Sequence, residues 1–148
     1  MKKSQLLQTL AAGPARTCCL DSTDFQALQQ AATELGLAFW AVDFSGVTDK
    51  AGCVDTLTNS LGVPGWFSQN WDAVHDGFIE LLETDQQGGL LCLQNVETFA
   101  NHDHPSWLRL LDLLADATEY WREQDLPFWC VVLSSSPESL SVAELENH

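Results

Sequence analysis

The sequence predicts an α/β protein built on an open parallel sheet. Short apolar runs alternate with segments whose apolar residues recur every three or four positions, as strands alternate with helices. The run at 37–44 is nearly unbroken, which is typical of a strand whose two faces are both covered. The order strand, helix, strand, helix, helix, strand, helix, strand favours parallel neighbours joined by right-handed helical crossovers.

The elements follow in order along the chain. A first strand is predicted at 17–20, and Asp21 and Ser22 are good helix caps that lead into a helix ending at Gly36. A second strand follows at 37–44. Apolar periodicity and turn residues then predict helices at 54–61, 68–83 and 105–121, and strands at 90–93 and 128–133.

The charge balance limits the class of partner. The chain has 148 residues, enough for one core, with 6 Lys+Arg against 21 Asp+Glu and a net charge of −15. Its hydrophobic fraction of 45% excludes a disordered acidic tail. A polyphosphate needs clustered lysine and arginine, so the charge excludes DNA and RNA and favours a basic protein partner.

The composition also predicts a cytoplasmic protein. No apolar stretch is long enough for a membrane span, and polar residues interrupt the apolar run at 4–12 that a signal peptide would need. Five cysteines are an odd number on a chain that needs no disulfide to hold its core, which indicates reduced thiols.

The helix at 68–83 has an unusual outward face. Its apolar residues form one stripe that must face the core: Trp71, Val74, Phe78, Leu81 and Leu82. The opposite side carries Asp72, Asp76, Glu80 and Glu83, spaced by four and then three, with His75 and Ile79 beside them. Like charges four residues apart destabilise a helix by roughly 0.2–0.5 kcal/mol per pair, so the stability of the fold does not explain this row of acidic residues. No lysine or arginine occurs between Lys50 and Arg109.

Two other interpretations of this face remain open. Carboxylates on a helix face are usually solvated and nothing more. Asp72, His75 and Asp76 could also perform acid–base or metal chemistry in a small acidic enzyme. The shape of the surface around them distinguishes this alternative from an inhibitor, because catalytic groups belong in a concave pocket. Neither a phosphate-binding glycine loop nor a nucleophile elbow is found, and we expect no cofactor and no metal.

The segment 64–76, PGWFSQNWDAVHD, resembles the barstar family of intracellular inhibitors of secreted guanyl-specific ribonucleases. That family's pattern is a proline, an aromatic pair two residues on, and Asn-x-Asp-Ala-φ-x-Asp with φ apolar. The resemblance extends more weakly over 39–134. It implies a two-layer fold with three to four parallel strands and helical crossovers. Residues 1–36 would be an N-terminal βα extension packed on the same domain, 37–134 the barstar-like domain and 135–148 a loosely attached C-terminal tail.

The resemblance also implies roles for individual residues. The ribonuclease-facing surface would comprise Trp66, Asp72, His75 and Asp76, and Glu80 joins them because it shares the outward face. Structural roles in the motif would fall to Pro64, Phe67, Asn70 and Trp71. A glutamate on the family's late helix also contributes to binding, and here that position is Trp121, with Glu119 and Glu123 near it. The residue before the second aspartate is commonly tryptophan in the family's founding member but is His75 in this chain.

These observations predict an immunity-type inhibitor and not an enzyme. A ribonuclease holds phosphate with cationic groups, so a rigid helix presenting carboxylates can occupy the same sites as an anionic decoy. Asp76 is the candidate that enters the phosphate site of a barnase-like ribonuclease, and Trp66 would add rigid apolar area beside it. A barstar-fold binding module for another basic protein is the remaining alternative.

Overall fold

The computed structural model describes residues 2–62, 70–81, 87–135 and 140–143. Its sheet has four strands: β1 (Thr17–Leu20), β2 (Ala38–Asp43), β3 (Gly89–Gln94) and β4 (Phe128–Leu133). The strand order is β1-β4-β3-β2 and every neighbouring pair is parallel. The predicted α/β class with an open parallel sheet is therefore confirmed.

The central strands are the most apolar ones. β4 is buried along its whole length and β3 along all but its last residue, whereas β2 lies at an edge and is only partly buried. Gly88 leads into β3 with φ 101°, and a Cβ at this position would collide with the carbonyl oxygen of Pro127. Glycine is therefore required where β3 and β4 begin side by side.

Helices cover both faces of this sheet. They are α1 (Lys3–Ala12), α2 (Phe25–Glu34), α3 (Lys50–Leu61), α4 (Trp71–Glu80), α5 (Glu97–His102) and α6 (His104–Glu123). Residues of α1 and α2 pack on one face, and residues of α3 to α6 pack on the other, which gives two separate apolar clusters. The N-terminal helices thus add a third layer to the expected two-layer arrangement, because both faces of the central strands are apolar and need cover.

Two helices, α1 and the short α5, were not predicted. In α1, Leu6 and Leu10 are buried, whereas Ser4, Gln5 and Gln8 are exposed. The polar residues that interrupt this apolar run are therefore the solvent side of an amphipathic helix. A two-residue apolar stripe in a helix of this length is too weak a signal to detect by periodicity alone.

The C-terminal segment was also misjudged where the structure describes it. Leu140 is 1% exposed, and its carbonyl oxygen accepts a hydrogen bond from Trp107 Nε1 at 2.9 Å. The backbone N–H of Cys19 donates to the carbonyl oxygen of Ala143 at 2.8 Å. Residues 140–143 are thus bound to α6 and to the outer edge of β1, and are not a loose tail.

The cysteines are buried and free of disulfides. Burial raises the pKa of Cys18 and of Cys92 to about 12, so both are neutral thiols at physiological pH. Within the described ranges, no helix has both the length and the apolar character to cross a membrane.

Candidate functional site

Helix α4 begins at a capped turn. Asn70 has extended backbone angles, φ −105° and ψ 128°, and its side-chain oxygen accepts a hydrogen bond from the backbone N–H of Asp72 at 2.8 Å. Its carbonyl oxygen accepts the first helical bond from Val74 N–H at 3.1 Å. Asparagine is among the best residues at this position, so the cap fixes where the helix starts.

The inner side of α4 is anchored in the core and against α6. Val74, Gly77 and Phe78 are buried, and Trp71 and Ile79 pack against the same cluster with partial exposure. Trp71, Val74, Phe78 and Leu81 are on the predicted inner side. Ile79 packs inward although it was expected beside the acidic row, and Leu82 lies outside the described residues. Because the inner side is fixed, the direction of the opposite side is fixed too.

The outward side carries the acidic row. Asp72, Asp76 and Glu80 are exposed, and the side chain of Asp76 retains 81% of its accessible surface. His75 is half-buried beside them, with its Nδ1 4.0 Å from Asp76 Oδ1. No described residue donates a hydrogen bond to any of the three carboxylates. We call Asp72, His75, Asp76 and Glu80 the acidic face.

The acidic face is separate from a cavity that the described residues form elsewhere in the molecule. This cavity of about 510 Å³ lies at the amino-terminal ends of the strands, where Leu37 precedes β2 and Pro127 precedes β4. No residue of α4 belongs to its lining. In the described ranges, no group of three or more His, Cys, Asp or Glu could hold a metal ion. Asp72, Asp76 and Glu80 thus lie on an exposed helix surface and outside this cavity.

Some of the predicted site residues fall outside the part of the chain that the structure describes. They are Pro64, Trp66 and Phe67, so the aromatic pair and its distance from the acidic face stay predictions. Of the three positions considered on the late helix, Trp121 is only 6% exposed and belongs to the core. Glu119 and Glu123 are exposed on α6.

One contact near the acidic face was not predicted. The Nζ atom of Lys50 lies 5.4 Å from the centre of the Trp71 ring, which is a cation–π distance. These residues are the first of α3 and the first of α4. Neither charge nor periodicity could have revealed a contact that depends on how the two helices pack.

Comparison with known proteins identifies the family. The family model described as Barstar (barnase inhibitor) matches residues 37–133, well over half of the chain. The chain therefore belongs to the barstar family. This match includes α4 and three of the four strands, and it leaves out α1, β1 and α2.

Solved structures give a fold likeness only. The chain is similar to a structure of the Aeropyrum pernix ORC2 protein in ADPNP–ADP complexes, with a TM-score of 0.56 and 11% sequence identity. The match covers 94% of this chain but 44% of that one, so this chain spans less than half of its length. A search of curated proteins finds no match.

Proposed function

We propose that the protein is an intracellular, immunity-type inhibitor that blocks the basic active site of a secreted or toxin ribonuclease with the acidic face. The observation that carries this proposal is the row of exposed carboxylates without described hydrogen-bond donors, on a helix within the segment that matches the barstar family. The proposal makes the protein a binding partner and not an enzyme.

The spacing of the carboxylates suits a phosphate-binding cleft. Side chains four residues apart on a helix are about 6 Å apart at their Cβ atoms, so two carboxylates can meet separate cationic groups. Asp76 is at the centre of the row and its side chain is largely exposed, so we assign it to the phosphate site. Charge-assisted hydrogen bonds from arginine or lysine would then replace those made to the substrate phosphate.

Neighbouring residues would complete the contact. Asp72 and Glu80 lie one turn before and one turn after Asp76, and His75 adds a ring at the same surface. We assign Trp66 an apolar contact beside them, as the family motif implies. Because α6 packs against α4, its exposed Glu119 and Glu123 are the candidates for the family's late-helix contribution.

Long-range attraction would accelerate the encounter. The chain has a net charge of −15, and every charged residue between Lys50 and Arg109, histidine aside, is acidic. Such a field steers a basic protein towards the acidic surface and repels nucleic acid. Association of barnase with barstar is itself the standard example of electrostatic steering between proteins.

The N-terminal region has a structural role in this proposal. β1 pairs with β4 in the common sheet, and α1 and α2 cover the face opposite α4. We propose that residues 1–36 are an extension of the same domain that stiffens the sheet behind the inhibitory helix. Nothing on that face would contact the ribonuclease.

Titration of a barnase-like guanyl-specific ribonuclease tests the proposal. RNA cleavage should fall linearly as the protein is added and should vanish near one equivalent. Full activity in the presence of excess protein would contradict ribonuclease inhibition. Mass spectrometry of proteins retained on the immobilised chain from its own cell extract would then show whether another basic protein is the partner.

A further inference from the structure

The start of α4 is held by a residue of another helix. Lys50 begins α3 and Trp71 begins α4, and the ammonium of Lys50 lies 5.4 Å from the centre of the indole ring. Lys50 is partly buried, which reduces the screening of this attraction by water. The contact joins two helices that are separated along the chain by residues 62–70.

The α3 side of this contact is rigid. Asp49 caps α3, and its carboxylate accepts a hydrogen bond from the backbone N–H of Gly52 at 2.8 Å. Cys53, Val54 and Leu57 bury the inner side of the helix in the core. Lys50 therefore projects from a turn that is both capped and anchored.

The α4 side leads directly to the acidic face. Trp71 packs partly buried against the core, and the next residue is Asp72, with Asp76 one turn further on. A ring that is fixed from two sides, by the core and by the ammonium, restrains the first turn of the helix. The directions in which the side chains of Asp72 and Asp76 leave the helix depend on that turn.

We propose that Lys50 is a positioning residue for the acidic face: its ammonium holds the Trp71 ring and thereby fixes the first turn of α4. The proposal rests on the proposed function for its effect on binding. The effect of Lys50 on α4 itself is independent of any partner, so an experiment can contradict the positioning role and the proposed function separately.

Electrostatics alone predicts that removal of the Lys50 charge strengthens binding. Lys50 is a cation near a surface that is proposed to receive a basic protein, and its removal should strengthen the attraction. If Lys50 acts through Trp71, removal should weaken binding although the net charge becomes more favourable. The sign of the change therefore separates a positioning role from a purely electrostatic one.

The experiment uses the full chain with three variants. Lys50→Met keeps the aliphatic stem and removes the charge, whereas Lys50→Arg keeps the charge and the ability to stack on an aromatic ring. Lys3→Met is the matched control, because it makes the same charge change at an ion pair with Glu34 that joins α1 and α2. Amide hydrogen exchange at Val74, measured by NMR, reports on the first helical bond of α4.

We expect Lys50→Met to accelerate exchange at Val74 by about two- to fivefold, as loss of an ordinary cation–π contact would. Dissociation from the barnase-like ribonuclease should accelerate by a similar factor, while Lys50→Arg and Lys3→Met should exchange and dissociate like the wild type. Unchanged exchange in Lys50→Met would overturn the proposal, as would faster exchange with equal or tighter binding. If the wild type binds no ribonuclease, the proposed function has failed, and the exchange measurement alone decides whether Lys50 positions α4.

Discussion

The carboxylates at the turns of this molecule differ from those on α4. Asp49 accepts a backbone N–H at 2.8 Å, and Asp21 accepts the N–H of Thr23 at 2.9 Å. Asp43 accepts three hydrogen bonds, one from Asn95 and two from Ser45. Each of these side chains satisfies a local group that would otherwise need water, so its place in the sequence has a structural explanation.

The acidic face has no such explanation. Asp72, Asp76 and Glu80 receive no hydrogen bond from a described residue, and their mutual spacing is unfavourable for the helix. α6 also carries exposed acidic residues four apart, at Asp112 and Asp116, but on that helix Arg109 and Arg122 lie within three or four residues of acidic side chains, at spacings where opposite charges attract. α4 contains no lysine or arginine. The proposed function accounts for this difference: acidic residues at the turns serve the fold, whereas those on α4 are proposed to serve a partner.

The largest expected effect is the loss of binding in Asp76→Ala. Cationic groups of the ribonuclease would be left desolvated and unpaired, which should cost roughly 2–5 kcal/mol and appear mainly as faster dissociation. Stopped-flow mixing with the barnase-like ribonuclease measures both rates. Glu34→Ala is the control, because it removes an exposed carboxylate from α2, on the face of the sheet opposite α4. Equal losses of binding in the two variants would mean that Asp76 contributes no more than an exposed carboxylate elsewhere on the surface.

The next effect concerns salt. If the acidic field steers the partner, the association rate should fall by about tenfold or more between roughly 0.02 and 0.5 M salt, because the Debye length shrinks well below the size of the interface. Dissociation should change far less. An association rate that is independent of salt would exclude steering while leaving the contact itself in place.

A smaller effect is expected at the cap of α3. Asp49→Ala should lower the free energy of unfolding by about 0.5–2 kcal/mol, because Gly52 N–H loses its acceptor. Asp76→Ala should leave it within about 0.5 kcal/mol of the wild type. Urea unfolding of both variants measures the contrast. A large loss of stability in Asp76→Ala would show that α4's carboxylates also serve the fold.

The smallest effect is a titration at Asp43. Hydrogen bonds lower the pKa of its carboxyl group, and the bond from Asn95 has a larger effect than either bond from Ser45. A pKa that is lower in the folded state contributes stability above the ordinary aspartate pKa, and this stability is lost as pH falls through the folded value. NMR titration should place the midpoint below that of an ordinary aspartate, and Ser45→Ala should raise it. An unshifted midpoint would contradict the structural role given to this carboxylate.

Local patterns predicted much of this fold, and long-range contacts account for what they missed. Apolar runs located all four strands, and helical periodicity placed Val74 and Phe78 inward and Asp76 outward on α4. The burial of Leu140 gave no signal, because an apolar residue in a polar stretch has no period and its contacts, such as the hydrogen bond from Trp107, come from residues far away along the chain. The Lys50–Trp71 contact was equally inaccessible, since it joins two helices whose relative position only the tertiary structure supplies.

Competition at the ribonuclease active site tests the central claim most directly. A guanosine mononucleotide bound to the barnase-like ribonuclease occupies the site that Asp76 is proposed to fill. Increasing the nucleotide concentration should raise the apparent dissociation constant of the protein complex in proportion, without a limit, as mutually exclusive binding requires. If the protein binds the nucleotide-saturated ribonuclease as tightly as the free one, the acidic face does not enter the active site and the proposed function is wrong.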